Sequence, residues 1–189
     1  MRSRPQRPLS STVSTQRTHV ARYYHLDTSG EHTNLQLYSL KQAMKYWNDL
    51  RGDVAAYGED ALHVRERCVF VLSCLGLSLS QLLGQNNPTP SGRVPFPIEL
   101  VTAFVKEHGL DPQLNADFER FNYFYNGCRH FGLSTNGSGY YRVDQLTFPV
   151  AEQCYSFGLD LWRTVISVFK QDPQNDLSAF DLMALDPGC

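Results

Sequence analysis

The run DALHVRERCVFVLSCLGLSLSQLLG, residues 60–84, decides the fold class. Its apolar positions Leu62, Cys68, Val69, Leu72, Leu75, Leu79, Leu82 and Leu83 thicken along its length, several at three- and four-residue steps. That period belongs to an α-helix, and apolar content this high marks a helix enclosed by others. Gly84 predicts its end. Ser73, Ser78, Ser80 and Gln81 interrupt the run, and Arg65-Glu66-Arg67 precedes it, so it is too short and polar to cross a bilayer. No membrane association is expected.

Outward from this stretch, the same period recurs. Upstream, a helix is predicted over Asn34–Arg51, capped by Asn34, with Leu37, Leu40, Met44, Trp47 and Leu50 as its stripe and Gly52 as its stop. Downstream, Pro88, Pro90, Gly92, Pro95 and Pro97 make 85–97 a loop, and Pro97 opens a third helix that runs to His108 and stops at Gly109. A fourth helix is expected over Asn115–Phe131. Asn136-Gly137 is a hairpin signal, and residues 139–148 read as a short strand pair or an extended excursion. A fifth helix runs from Pro149 to Gln171, with Val150, Cys154, Phe157, Leu161, Thr164, Val165, Val168 and Phe169 inward. The expected fold is all-α, an antiparallel bundle of about five helices joined by short connections. Its organisation is a flexible basic arm over 1–33, the bundle over 34–171 and an acidic tail over 172–189, in which 177–185 is one further short helix.

A chain of 189 residues, 42% of them hydrophobic, is long enough to bury one substantial core. The formal net charge of −2 excludes binding to polyanions by bulk charge and leaves only a local patch for it. The charge is uneven. Arg2, Arg4, Arg7, Arg17 and Arg22 precede the first acid, Asp27, whereas Asp172, Asp176, Asp181 and Asp186 follow Lys170. Such ends are commonly solvated; the alternative is that the arm or the tail docks a protein partner, or that the arm touches phosphate. The 5 cysteines are odd in number and form no Cys-x-x-Cys pair, which argues against a disulfide framework and a zinc ribbon. Cys68 and Cys154 sit among apolar neighbours as small core residues. With no apolar signal region at the N-terminus, a reducing, cytoplasmic setting is expected.

The fourth helix carries the candidate chemistry. Phe118, Phe121, Tyr125 and Cys128 share one face, and Glu119, Asn122, Asn126 and Arg129 form a polar stripe beside it, joined by His130. Asn126 and Gly127 are poor helix formers, which points to a constraint other than helix stability. An arginine offers a planar fork of donors to phosphate oxygens, a histidine takes or gives a proton near neutrality, and an asparagine orients either. The set requires no metal or cofactor. The competing reading makes Tyr125 and Cys128 core, Asn126 solvated, and Arg129 with His130 partners of the helix C-terminal dipole. Cys128 and His130 lack a third ligand at metal spacing. Residues 136–139 have the glycines of a phosphate loop without its lysine. Tyr140, Tyr141, Arg142 and Phe148 can stack an unpaired base or simply cover the bundle. His63, Arg65, Glu66 and Arg67 read as a solvated face.

The stretch Tyr125–Gly132 resembles the motif of HEPN-domain ribonucleases, in which an arginine, a polar residue, three further residues and a histidine meet at a helix junction, often with a glycine close behind. Asn126, His130 and Gly132 match; the motif arginine is replaced by Tyr125. The resemblance implies a small helical bundle that dimerises and cuts RNA without metal, through attack by the ribose 2′-hydroxyl. His130 would then be general acid or base, Asn126 the orienting group and Arg129 the phosphate clamp. Asn122, Tyr125, Arg120 and Arg142 are the further substrate-binding candidates. It also implies a place in stress or antiviral defence, including toxin–antitoxin systems. The alternative is a non-catalytic helical interaction module, antitoxin-like or structural.

Overall fold

The computed structural model describes residues 35–84, 92–93, 95–129 and 143–171. Five long helices occupy most of them: α1 (Leu35–Tyr57), α2 (Leu62–Leu82), α3 (Pro97–Glu107), α4 (Gln113–Arg129) and α5 (Phe148–Phe169). The basic arm, the acidic tail, the turn at 136–137, and His130 and Arg142 lie outside the described residues.

The stops of α1 and α2 follow glycine conformation, with one correction. Gly52 does not end α1; the helix continues to Tyr57 and stops at Gly58, whose φ is +83° and whose N–H donates to Val54 O. A glycine inside a helix costs about 1 kcal/mol relative to alanine. The turn beyond Gly52 offsets this through contacts with α2. Asp53 is ion-paired with Arg67, Val54 packs on the core, and Tyr57 meets His63 edge-on at 4.9 Å. At the other end of α2, Gly84 (φ +92°) closes the helix as expected.

Residues 143–148 form no strand, contrary to the expected excursion over 139–148. Val143 and Asp144 make one helical turn, Leu146 N–H donates to Val143 O at 2.9 Å, and Leu146 is buried. No strand occurs among the described residues. An isolated extended segment would have no ladder partner, whereas a turn satisfies its own backbone. α5 then begins at Phe148 with Pro149 in its first turn, where the missing N–H costs nothing.

α2 is the axis of the fold, packed against α1, α4 and α5. Val64, Cys68, Val71, Leu72, Leu75, Leu79 and Leu82 are buried; Leu62, at the sparser start of the run, is 74% exposed. α1 and α2 form an antiparallel hairpin, in which Tyr46 meets Phe70 and Arg67 reaches Asp49 and Asp53. The bundle is not antiparallel throughout. Leu75 faces Gly158 and Ser78 faces Trp162, so α5 runs in the same sense as α2. The bond from Trp162 Nε1 to Ser78 Oγ, 3.0 Å and buried, fixes that register. Trp47 of α1 stacks on Tyr155 of α5 at 4.4 Å and completes the core.

Two glycines set the helix spacings. A Cβ on Gly76 would lie within the ring of Tyr125 from α4, and a Cβ on Gly158 would strike the Leu75 side chain and come within 3.3 Å of Phe121. Gly76 therefore serves as a notch for an aromatic ring. On an open helix surface Gly→Ala stabilises by about 1 kcal/mol; here overpacking reverses the sign. Gly76→Ala is expected to destabilise by about 1–3 kcal/mol, measured by chemical denaturation. Combining it with Tyr125→Ala should recover part of that loss, because the methyl then has room; strict additivity would refute the notch.

Candidate functional site

α4 begins where Asp111 accepts a hydrogen bond from Gln113 N–H at 2.9 Å, satisfying one free donor of the first turn. Its buried arc is wider than the expected face. Phe118, Phe121, Tyr125 and Cys128 are all inside, and Phe124 and Gly127 join them. Phe121 stacks between Phe118 at 5.7 Å and Tyr125 at 6.1 Å. The constraint inferred from the poor helix formers is thus a packing constraint in part, since Gly127 lies in the interior.

The polar stripe keeps its predicted order. Asn122 and Asn126 are half-buried and Arg129 is exposed, each on the turn after the last. The Asn122 Oδ1 atom is enclosed and has no hydrogen-bond partner. Arg129 lays its guanidinium over the Tyr125 ring, 5.4 Å from the ring centre. Tyr125 is 1% exposed, and burial pushes its phenol above the ordinary range. Ser80 and Arg129 lie close enough to counter that rise in part, yet neither meets the hydroxyl in hydrogen-bond geometry. Ser80 instead donates to Gly76 O at 2.7 Å. Tyr125 is therefore a core side chain that lies out of a ligand's reach.

Arg120 stands apart. Nine residues of α-helix turn it about 180° from Arg129, and it lines a groove between α4 and α5 with Asp117, Phe121, Gln153, Cys154 and Phe157. The groove encloses about 240 Å³. The other charged group, on the α1–α2 hairpin, is an inter-helix network. Arg67 bridges Asp53 and Asp49, the latter at 3.2 Å, and His63 Nε2 lies 4.0 Å from Asp53. Sequence reasoning took this group for a solvated face. The opposing acids on α1 at four-residue spacing, Asp49 and Asp53, were the available signal.

Three buried thiols from three helices face the same core. Cys68 and Cys128 are pushed up to about 12 and Cys154 to about 11, in each case chiefly by burial; for Cys128 the neighbouring Cys154 and Cys68 add to the rise. These thiols are neutral at physiological pH and are no nucleophiles. Among the described residues, no group of three or more His, Cys, Asp or Glu could hold a metal ion, and no helix is long and apolar enough to cross a membrane.

No protein-family model matches the chain, and no curated protein or solved structure matches it either. The likeness to the HEPN motif therefore rests on Asn126, His130 and Gly132 of the sequence alone.

The thiols predict a pH dependence. Well below the ordinary value of 9.0 the folded and unfolded thiols are all protonated, so their contribution to stability is fully present. As pH climbs from 9.0 toward about 12, the unfolded chain releases protons that the folded chain keeps, and stability falls. Thermal melts between pH 8 and 11 should show this decline, and Cys68→Ala with Cys128→Ala should flatten it. An equal slope in the double variant would assign the decline to other groups, such as the buried Tyr155 phenol.

Proposed function

We propose that the chain is an RNA-directed, HEPN-like module whose working surface is the C-terminal end of α4. The observation that carries this reading is the posture of Arg129 on Tyr125. A guanidinium resting its flat face on a ring still presents its edge donors outward, and those donors suit the oxygens of a phosphodiester. Asn126 and Asn122 occupy the preceding turns of the same flank. His130 follows Arg129 directly in the chain.

In this reading Arg129 holds the phosphate, Asn126 orients the ribose or the imidazole, and His130 transfers the proton. The ribose 2′-hydroxyl gives up its proton as its oxygen bonds to phosphorus, the bond to the 5′-oxygen breaks, and the leaving oxygen takes up a proton; His130 is the base that receives the first proton or the acid that supplies the second. A homodimer would bring two such ends to one cleft. A role in stress or antiviral defence belongs to the same proposal and rests on the family resemblance.

A second reading, a non-catalytic helical interaction module, is favoured by one specific observation. Tyr125 is committed to the core at the position where the family carries its arginine, so the flank retains Arg129 for binding without the full catalytic set.

Labelled single-stranded RNA in excess chelator separates the two. The ribonuclease reading expects cleavage that His130→Ala abolishes while the melting temperature stays unchanged. Arg129→Ala should weaken RNA binding roughly 10- to 100-fold, the worth of one or two charged hydrogen bonds. RNA bound but never cut would leave an RNA-binding module. RNA neither bound nor cut would sink this proposal and leave the interaction module.

A further inference from the structure

The outer side of the α1–α2 hairpin, turned away from α5, carries two ridges. Tyr38, Gln42, Lys45, Asp49, Gly52 and Ala56 follow one another along α1 at steps of three and four residues, and none is buried. Leu62, Glu66, Phe70, Ser73 and Leu77 do the same along α2, and none is buried. Tyr46, beside the first ridge, meets Phe70 of the second at 5.7 Å, so the two ridges lie side by side in a fixed register. Four large apolar side chains stand open here: Tyr38 at 48%, Leu62 at 74%, Phe70 at 54% and Leu77 at 39%. Single apolar residues on a surface are ordinary, but a run across two helices marks a contact.

The face carries both signs of charge, sorted along its length. Lys41 and Lys45 stand toward the start of α1, and Asp49 and Glu66 lie about one turn to the other side of Tyr46 and Phe70. Arg67 is taken up by Asp49 and Asp53, Arg65 lies near Asp60, and Arg51, two residues on from Asp49, points off the face. Lys41, Lys45 and Glu66 enter no ion pair among the described residues. One end is therefore basic, and the other, with three acids against Arg67, is acidic. Size is sorted as well. Tyr38 and Leu77 make the basic end bulky, whereas the α1 ridge finishes at the acidic end in Gly52 and Ala56. A Cβ on Gly52 would meet nothing within 4 Å, so no contact inside the described chain calls for a glycine there.

A face that is basic and bulky at one end, and acidic and partly small at the other, complements itself when turned end over end. The operation is a two-fold axis lying in the contact plane at right angles to the helices, which reverses the helix direction and leaves α1 opposite α1 and α2 opposite α2. With the axis midway between Lys45 and Asp49, the α1 ridge matches itself: Lys45 meets the partner's Asp49, Tyr38 the partner's Ala56, and Gln42 the partner's Gly52. On the α2 side, the two Phe70 rings come together beside the axis, Leu77 approaches the partner's Leu62, and Glu66 stands near the partner's Lys45. The other two-fold in the plane, along the helices, would set Lys45 on Lys45 and Glu66 on Glu66, and like charges oppose it.

We propose that the α1–α2 face is the surface on which a second copy of this chain docks, antiparallel, with Phe70 at the centre and with Lys45 paired to the partner's acids. Gly52 then has a purpose that the single chain does not give it: it leaves room beside the partner's Gln42 and Tyr38. The ribonuclease reading also calls for a homodimer, but this pairing is argued from the face alone and is measured with no RNA present, so either can fail without the other.

Sedimentation equilibrium of the full chain tests it. The expected result is a dimer that Phe70→Glu weakens about tenfold or more. Lys45→Glu and Glu66→Lys should each weaken it about tenfold, because every contact occurs twice across the axis. An equimolar mixture of these two variants should regain a dimer close to the original strength, since each reversed charge then faces an opposite one. All three positions are exposed, and a helical circular dichroism spectrum with an unchanged melt confirms that each variant is folded; the mixture carries the test if Phe70→Glu is not. Three results would each overturn the proposal: a monomer up to roughly 100 μM, where even a weak interface assembles; a dimer that folded Phe70→Glu leaves intact; or a mixture no stronger than either charge variant alone.

Discussion

The close approach of Gly76 to Tyr125 is the constraint on which the arrangement depends. With no side chain at Gly76, α2 admits an aromatic ring from α4 against its backbone. Tyr125 then sits in the interior with its hydroxyl enclosed. The ring becomes part of the wall between α2 and α4, and the exposed surface of α4 is what remains around it. Arg129 rests on that ring, so the position of this cation is a product of core packing. The second glycine, Gly158, seats Leu75 in the same manner and lets α5 close on α2.

Polar burial along α2 adds specificity to this packing. Ser78 and Ser80 lie in an otherwise apolar helix, where each would cost free energy without a partner. Ser78 accepts from Trp162, and Ser80 returns its hydrogen to the Gly76 carbonyl one turn back. The first bond works only in one register of α5 against α2. At the far end of the hairpin, Arg67 between Asp49 and Asp53 plays a similar part for α1. Such partly exposed pairs contribute about 0–1 kcal/mol each; their effect is to fix alignment more than to add stability.

The helices were readable because burial imposes a period on the chain. Cys68, Leu72, Leu75, Leu79 and Leu82 in α2, and Leu161, Val165 and Phe169 in α5, are inside as their spacing requires. The end of α1 was misread because Gly52 carries a local signal that Asp53, Val54 and Tyr57 override through contacts with α2. The turn at Val143–Asp144 was misread because aromatic and β-branched residues suggest a strand, while strand formation needs a partner that the all-helical surroundings lack. On α4 the flank of Asn122, Asn126 and Arg129 was legible from three- and four-residue steps. Arg120 was grouped with them by nearness in sequence, although the helix turns it toward α5. The notch at Gly76 was not legible, since the residue that fills it comes from another helix 49 positions away (125 − 76).

The enclosed thiols couple the chemical lifetime of the protein to its breathing. Cys68, Cys128 and Cys154 are buried, protonated and close to one another in the core. Peroxide attacks thiolate, and these sulfurs offer none while the helices stay closed. Oxidative damage at these three sites therefore has to wait for an opening of the core. Its pace is then set by how often α2, α4 and α5 part, and raising the oxidant beyond the level that captures every opening adds nothing.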